Sequence, residues 1–230
     1  AHAPLCEELP MLRSGYPTLV SLNSSAKITD DMLTIWSRIL QARTDARLII
    51  MVKEQDADSA QAHMQPRVEA AGMPLDRVSV LHQQPLERFM EIGHIADIQL
   101  DTFPVCGGTT TWHALWMGLS VVTLEAERGV DGCTAQLLRA LGSGGEVAKD
   151  ADEYVEATLQ LMDDAERLQR QRLSARAGMQ SSAWMDYPAR TRELEKAYRI
   201  MWLNWLRGDK LNLSSSVDLD QLLAEMEIEA

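Results

Sequence analysis

Short apolar runs alternate with helix-like patterns along the first 150 residues of the chain. The runs RLIIMV and SVVTL are almost entirely apolar, which is typical of strands buried on both faces. Thr29 is a good N-cap residue, and the apolar residues after it recur at helical spacing. The pattern predicts strands at Thr18–Leu22, Arg47–Val52, Val78–Leu81, Ile98–Leu100 and Ser120–Leu124, with a short sixth strand at 147–148. It predicts helices after Thr29 and at 57–71, 85–91, 109–117 and 135–140.

This alternation is the order expected for a parallel sheet covered on both faces. With right-handed crossovers it gives an α/β fold with a doubly wound, Rossmann-like parallel sheet. From about residue 150 onward the pattern is only helical, at 150–162, 165–179 and 188–206. We therefore expect an irregular connector at 1–16, a Rossmann-like lobe with C-terminal helices at 17–208, and an acidic tail at 209–230.

The last predicted helix carries one apolar stripe, formed by Leu194, Tyr198, Trp202 and Trp205. Such a stripe is typical of a helix that buries one face. Two interpretations stay open: the stripe packs on the sheet domain, or part of it faces a lobe that this chain does not contain. The acidic tail is expected to be a mobile appendage or a docking helix.

The net charge of the chain restricts the functional classes to which it can belong. The chain has 230 residues, with 22 Lys and Arg against 34 Asp and Glu, which gives a net charge of −12. An acidic chain gains little from counterion release, so we do not expect it to bind nucleic acid. No run reaches the roughly 18 apolar residues of a spanning helix, so we expect no membrane span.

Three cysteines, Cys6, Cys106 and Cys133, lie far apart and show no zinc-binding spacing. We expect reduced thiols in a reducing, cytoplasmic compartment, and no metal site. The chain starts at Ala-His-Ala-Pro, without an initiator methionine and without the apolar region of a signal peptide. We expect it to be a fragment or a processed segment of a longer protein.

The loop after the fourth predicted strand carries the strongest candidate chemistry. Gly107 and Gly108 let the backbone approach a ligand closely, and three threonines follow at a helix start, which attracts anions. The loop is a candidate diphosphate cradle, although a glycine turn before a capped helix explains the same pattern. It is neither a Walker A loop nor GxGxxG. Asp97 and Asp101 bracket this strand, and we interpret both as structural hydrogen-bond partners.

Lys27 is the second candidate, because it lies just beyond the first predicted strand. A lysine there can reach a phosphate as a point charge, but a solvated lysine at a helix start is an equally good interpretation. His82, Phe89, His94 and His113 are scattered, and a structural role is the simpler interpretation of each taken singly.

The candidate loop lies within a longer recognisable pattern. Residues 96–124 read ADIQLDTFPVCGGTTTWHALWMGLSVVTL. This segment resembles the pattern ADxxLDTxPxxGxTTxxDALWxGxPVVTL of the protein O-linked N-acetylglucosamine transferases, including the plant SPINDLY-type proteins and bacterial relatives. Further matches lie at Asn23–Lys27, Gly72-Met73-Pro74 and Tyr198–Trp202. The resemblance covers about Pro17 to Gly208 and leaves the tail outside.

The resemblance implies a B-type glycosyltransferase fold, in which two Rossmann-like lobes face each other across a cleft. The chain looks like the C-terminal lobe, which in this family binds the UDP-sugar donor. The implied reaction is inverting transfer of N-acetylglucosamine, or of fucose or glucose in relatives, to Ser or Thr hydroxyls. It implies no metal or other cofactor, and an acceptor protein bound through an N-terminal lobe and tetratricopeptide repeats.

The resemblance also assigns site residues. Lys27 matches the family lysine that contacts the donor diphosphate, which implies a catalytic role in stabilising the leaving diphosphate. Thr109 and Thr110 match the threonines at the start of the phosphate-binding helix. The full set of implied donor-binding residues is Gly107, Gly108, Thr109, Thr110, Thr111, His113, Phe89 and His82.

The chain departs from the family pattern at several donor-site positions. Gly108 and Phe89 replace histidines, Leu86 replaces a lysine, His113 replaces an aspartate, and Asp131-Gly132 replaces a Ser-Arg pair. Each lost contact is worth about 1–3 kcal/mol. Three functions therefore stay open: the donor lobe of a protein O-glycosyltransferase, a diverged and catalytically silent scaffold, or a related transferase with another nucleotide sugar or acceptor.

Overall fold

Six parallel strands form one sheet, in the order β3-β2-β1-β4-β5-β6. A computed structural model describes residues 5–126, 132–142 and 145–207 of the chain. The strands are β1 Thr18–Ser21, β2 Arg47–Met51, β3 Val78–Leu81, β4 Ile98–Leu100, β5 Ser120–Leu124 and β6 Gly145–Ala148. The doubly wound Rossmann-like sheet predicted from the sequence is confirmed, and its order reverses between β1 and β4.

The helices follow the predicted positions closely. They are α1 Pro10–Ser14, α2 Asp30–Ala42, α3 Ala57–Ala70, α4 Leu86–Met90, α5 Thr109–Trp116, α6 Cys133–Leu141, α7 Ala151–Asp163, α8 Ala165–Ser181 and α9 Tyr187–Arg207. Short 3-10 turns lie at Ser25–Lys27, Leu75–Arg77, Glu91–His94 and Ala183–Met185. Thr29 caps α2 as predicted, since its Oγ1 accepts a hydrogen bond from the Met32 amide at 3.2 Å.

The predicted connector is not irregular throughout, because α1 forms within it. Pro10 is at the start of this helix, where its fixed φ favours helix formation. The buried carboxyl group of Asp97 accepts hydrogen bonds from the amides of Met11 and Thr18, at 2.9 and 2.8 Å. Asp97 therefore joins the connector to β1, which agrees with the structural role predicted for it. Burial raises the pKa of this carboxyl group, against the effect of the two amide donors.

Apolar side chains cover both faces of the sheet. Leu19 belongs to the cluster that contains Trp36 and Tyr154, whereas its neighbour Val20 belongs to the cluster that contains Leu115. Successive strand residues point to opposite faces, so each face of the sheet receives its own hydrophobic layer. This double burial explains why the strand runs have so few polar residues. Polar side chains follow the strands at their carboxyl ends, as Asn23 does after β1 and Asp101 after β4.

The chain divides into two compact units, Ala1–Gln180 and Ser181–Ala230. In the second unit, the described part is the turn Ala183–Met185 and helix α9. The four side chains of the predicted apolar stripe on α9 are exposed, and the rings of Trp202 and Trp205 stack with centroids 5.1 Å apart. The predicted tail at 209–230 lies outside the described residues, as do residues 1–4, 127–131 and 143–144. Among the helices that are described, none is long and apolar enough to cross a membrane.

Candidate functional site

The candidate site lies at the carboxyl edge of the sheet, where β1 and β4 are neighbours. In open α/β sheets this point of reversed strand order is where ligands bind. The segment after β1 carries Lys27, and the segment after β4 leads into α5. The ammonium group of Lys27 donates a hydrogen bond to the Cys106 carbonyl at 2.7 Å. The fold therefore brings together the lysine and the glycine loop that the sequence singled out separately.

The side chain of Asp101 holds the glycine loop in place through hydrogen bonds. Its Oδ1 accepts hydrogen bonds from the Gly107 amide at 2.7 Å and from Asn23 Nδ2 at 3.0 Å. Its Oδ2 accepts a hydrogen bond from Thr123 Oγ1 at 2.9 Å. Thr110 joins the same network, because its hydroxyl donates to Asn23 Oδ1 at 2.9 Å. One buried carboxyl group thus fixes the loop, the end of β1 and β5 relative to each other.

Gly107 is required by space. A Cβ atom on this residue would lie 2.5 Å from Thr111 Oγ1 and 2.9 Å from Thr110 Oγ1, closer than real Cβ atoms approach, and 3.0 Å from Asp101 Oδ1. Gly108 is different, because a Cβ atom there would meet nothing within 4 Å. Gly108 is also the N-cap residue of α5, and no side chain caps that helix end. The first N–H groups of α5 thus have no side-chain cap, and the anion site that the sequence predicts for this loop stays a prediction.

A cavity of about 360 Å³ opens beside the start of α5. That volume is in the range of small-molecule sites. Its lining includes Thr109, Thr110, His113, Phe89 and Leu86, and also Lys53, Gln83 and Gln84. Four of the eight predicted donor-binding residues thus face one cavity. Leu86 places an exposed apolar side chain where the family pattern has a lysine.

His113 and Phe89 form the aromatic wall of this cavity. Their ring centroids lie 5.4 Å apart in an edge-to-face arrangement. Burial lowers the pKa of His113 below its ordinary value of 6.5, so the imidazole is neutral at neutral pH. A neutral imidazole both donates and accepts hydrogen bonds, whereas the aspartate of the family pattern only accepts. The ring pair offers a flat surface with one polar edge.

Five of the nine predicted site residues are not among those that line the cavity: Lys27, His82, Gly107, Gly108 and Thr111. Lys27 lies at the Cys106 carbonyl instead, and the His82 ring contacts Gln84, with 3.2 Å between His82 Nε2 and Gln84 Nε2. Thr111 is buried, and its hydroxyl lies 3.0 Å from that of Thr134, so it supports the loop from within the fold. Of the departing pair Asp131-Gly132, Asp131 lies outside the described residues.

Sequence reasoning missed Lys53, Gln83 and Gln84 as cavity residues. Lys53 comes shortly after β2, and the two glutamines follow β3. Their position at the carboxyl ends of strands was the signal available to find them. Within the described ranges, no three His, Cys, Asp or Glu side chains are grouped so that they could hold a metal ion.

Comparison with known proteins places these features in a family. Residues 18–194 match the model of glycosyl transferase family 41. The chain is 36% identical over 225 residues to a probable UDP-N-acetylglucosamine–peptide N-acetylglucosaminyltransferase SPINDLY from Solanum lycopersicum, covering 97% of this chain and 24% of that protein. The SPINDLY protein of Arabidopsis thaliana is also 36% identical, over 90% of this chain and 22% of its own length. The chain thus spans about a quarter of the length of these relatives.

A solved structure gives the same result. A mutant of the O-GlcNAc transferase from Thermobaculum terrenum matches with a TM-score of 0.74 and 34% identity, covering 82% of this chain and 36% of that one. A sucrose-phosphate synthase from Thermosynechococcus elongatus, at 13% identity and a TM-score of 0.60, shares the fold alone. The family match covers most of the chain, including the glycine loop and the lysine that faces it. The chain belongs to glycosyl transferase family 41.

Proposed function

We propose that this chain is the donor-binding lobe of a longer protein O-glycosyltransferase. In this proposal it binds a UDP-sugar at the carboxyl edge of its sheet. The sugar, N-acetylglucosamine or a related one, is transferred with inversion to a Ser or Thr hydroxyl of an acceptor protein. The observation that carries the proposal is the contact of Lys27 with the loop that leads into the uncapped start of α5.

The diphosphate is assigned to Lys27 and the start of α5. When the bond between the sugar C1 and the β-phosphate oxygen breaks, negative charge grows on the departing UDP. A lysine ammonium group and the first N–H groups of a helix stabilise such charge where it develops. The hydroxyl group of Thr109, which lines the neighbouring cavity, adds a further donor, whereas that of Thr110 already donates to Asn23. In this proposal the leaving group needs no metal ion.

The nucleoside is assigned to the cavity beside α5. Phe89 supplies an aromatic face on which a base can stack, and His113 supplies a polar edge for a ribose hydroxyl. The acceptor protein is assigned to parts of the longer protein outside this chain, namely an N-terminal lobe and tetratricopeptide repeats. We accordingly expect the chain alone to bind donor without turning it over.

The residues that differ from the family pattern favour two alternatives to this function. In the cavity lining, Leu86 stands where the family pattern has a lysine and His113 where it has an aspartate, and Gly108 at the start of α5 stands where it has a histidine. A chain with these changes could be a silent scaffold, or could use a different nucleotide sugar. A panel of nucleoside diphosphates separates the last case, because base selectivity is read in the cavity and not at the diphosphate.

Calorimetric titration of the purified chain with UDP tests the proposal. We expect micromolar binding that falls at least tenfold in Lys27→Ala and further in Lys27→Ala with Thr109→Ala. Lys149→Ala is the matched control, because Lys149 is an exposed lysine next to β6 and outside the cavity lining, and it should bind as the wild type does. Absence of UDP binding by the folded chain and by the full-length protein would leave the scaffold alternative.

A further inference from the structure

Two cysteines that are far apart in the sequence meet at the glycine loop. Cys106 lies in the loop after β4 and is buried, with 4% of its surface exposed. Cys133 is the first residue of α6 and is exposed. Their sulfur atoms are 3.1 Å apart. Either sulfur could be the donor in this contact, and the Cys133 thiol also lies within hydrogen-bond distance of the Gly107 carbonyl, at 3.0 Å.

The two thiols share their loop with the candidate phosphate site. The carbonyl of Cys106 accepts the hydrogen bond from Lys27, and the carbonyl of Gly107 also accepts one from Thr134 Oγ1 at 3.1 Å. The next residue, Gly108, is the N-cap of α5. A change in the bonding of either sulfur therefore acts on backbone atoms that hold Lys27 and the start of α5.

We propose that Cys106 and Cys133 are a modification site: a dithiol that a small-molecule disulfide oxidises to an intrachain disulfide, which weakens nucleotide binding at the adjoining loop. The effect on nucleotide binding rests on the proposed function, whereas the formation of the disulfide does not. Nothing in the donor-site chemistry uses either sulfur, so the pair is chemically independent of transfer.

The exchange proceeds in two balanced steps. The exposed Cys133 thiolate attacks one sulfur of the small disulfide, forms a mixed disulfide and releases one small thiolate. The Cys106 thiolate then attacks the Cys133 sulfur, forms the internal bond and releases the second small thiolate. The protein dithiol loses two electrons, the small disulfide gains them, and the two thiolates released take up the two protons. Exposure makes Cys133 the entry point, and contact makes Cys106 the resolving residue.

The surroundings of Cys133 make this reaction slow at neutral pH. Burial, followed by the hydrogen bond and charge of Cys106 and the charge of Asp101, raises the pKa of the Cys133 thiol to about 11, although Lys27 opposes the shift. Only the thiolate attacks a disulfide. The initial rate of oxidation should therefore rise about tenfold with each pH unit until the pH nears that pKa. The dithiol responds to sustained oxidant rather than to a brief exposure.

Oxidation changes the contacts of the loop. A disulfide holds its sulfur atoms about 2.05 Å apart, so the two sulfur atoms must approach each other by roughly 1 Å, and we expect the loop backbone to take up part of this movement. Oxidation also removes the Cys133 proton, so this sulfur can no longer donate to the Gly107 carbonyl. Binding sites tolerate displacements of only about 0.5 Å before they lose affinity. We expect the oxidised chain to bind UDP at least tenfold more weakly than the reduced chain.

Intact mass after incubation with oxidised glutathione and rapid alkylation tests the modification. The wild type and Cys6→Ser should each lose the mass of two hydrogen atoms, and the wild type should retain one alkylatable thiol of its three. Cys106→Ser should instead retain a glutathione adduct on Cys133, and Cys133→Ser should not form the internal bond. A wild-type chain that keeps all three thiols, carries only glutathione adducts, or pairs Cys6 would overturn the proposal.

Calorimetry with UDP then tests the consequence. Titrations of the reduced, oxidised and re-reduced Cys6→Ser chain should show binding lost on oxidation and restored by reduction, and Cys133→Ser should be insensitive to oxidant. Equal affinity in the reduced and oxidised forms would refute the effect on binding. If neither the reduced chain nor the reduced full-length protein binds UDP, the proposed function fails, and the mass measurement still decides whether the dithiol forms a disulfide.

Discussion

The glycine loop after β4 and the cavity beside it are held by different kinds of interaction. In the loop, the buried carboxyl group of Asp101 takes hydrogen bonds from the loop amide, from Asn23 and from Thr123. In the cavity, the walls are largely the side chains of Leu86, Phe89 and His113, on the short helix α4 and on α5. The loop is a fixed polar network, and the cavity is a wall of separate side chains.

This contrast explains where the chain departs from its family pattern. A substitution at Asp101 or Asn23 would strand several buried donors at once, which is costly. A substitution at Leu86 or His113 changes one wall residue and leaves the loop intact. Asp101 and Asn23 hold the polar network of the loop. By contrast, the described positions that depart from the family pattern, such as Leu86, His113 and Gly108, lie outside that network. A change at these positions leaves the hydrogen bonds of the network in place.

Replacement of Asp101 should have the largest effect on the stability of the chain. The carboxyl group of Asp101 accepts from three donors. In Asp101→Asn, one of its two oxygens is replaced by an NH₂ group, which cannot accept, so a buried donor loses its partner. We expect a loss of about 3 kcal/mol in the free energy of unfolding, measured by urea denaturation. Asp31→Asn, an exposed residue in the first turn of α2, should change it by less than about 0.5 kcal/mol. Equal effects of the two substitutions would show that the loop is not held through Asp101.

The two neighbouring glycines offer a matched pair. Gly107→Ala should reduce the free energy of unfolding by about 1–3 kcal/mol, because its Cβ would overlap Thr111 Oγ1 and press on Asp101. Gly108→Ala meets open space and should cost less, about 0.5 kcal/mol, because the remaining effect is that alanine is a poorer N-cap residue than glycine. Thermal or urea unfolding of both variants gives the comparison. A destabilised Gly108→Ala with a stable Gly107→Ala would contradict the geometry of the loop.

Restoring a cation to the cavity wall should give a smaller, favourable effect. Leu86→Lys places an ammonium group where the family pattern has one, and we expect UDP affinity to rise three- to tenfold, or about 1 kcal/mol. Leu75→Lys is the control, because Leu75 is an exposed leucine outside this cavity. No gain from Leu86→Lys in a chain that binds UDP would mean that the cavity recognises its ligand without this position.

The smallest expected effect is the pH dependence due to His113. Its pKa is lowered by burial, so between that pKa and 6.5 the unfolded chain binds more protons at this residue than the folded chain does. Stability should therefore rise with pH across this window and level off above it. The rise should be weaker in His113→Gln, in urea denaturation at a series of pH values. An identical pH profile in both chains would show that the folded state does not perturb His113.

The fold was predictable because most of its strands are short apolar runs in the sequence. The doubly wound sheet followed from their alternation with helices, but β6 is longer than predicted, since Gly145 and Glu146 carry no apolar signal and are in the strand through pairing with β5. The positions of Lys27 and the glycine loop were predictable from strand ends. To predict that Lys27 contacts this loop, one must also know the order of the strands in the sheet, and no local sequence pattern encodes that order. The meeting of Cys106 and Cys133 was not predictable, because their spacing matches no motif and the contact arises from the adjacent β4 and β5.

The bond between the Gly107 amide and Asp101 has a consequence for dynamics. This amide is buried and donates to Asp101 Oδ1 at 2.7 Å. Its proton can reach solvent only when β1, the loop and β5 separate, since the same carboxyl group joins all three. Deuterium uptake at Gly107 should therefore report the opening of the whole lobe, at the same slow rate with and without nucleotide. The backbone of the loop is thus held in place by the fold itself, through a single carboxyl group.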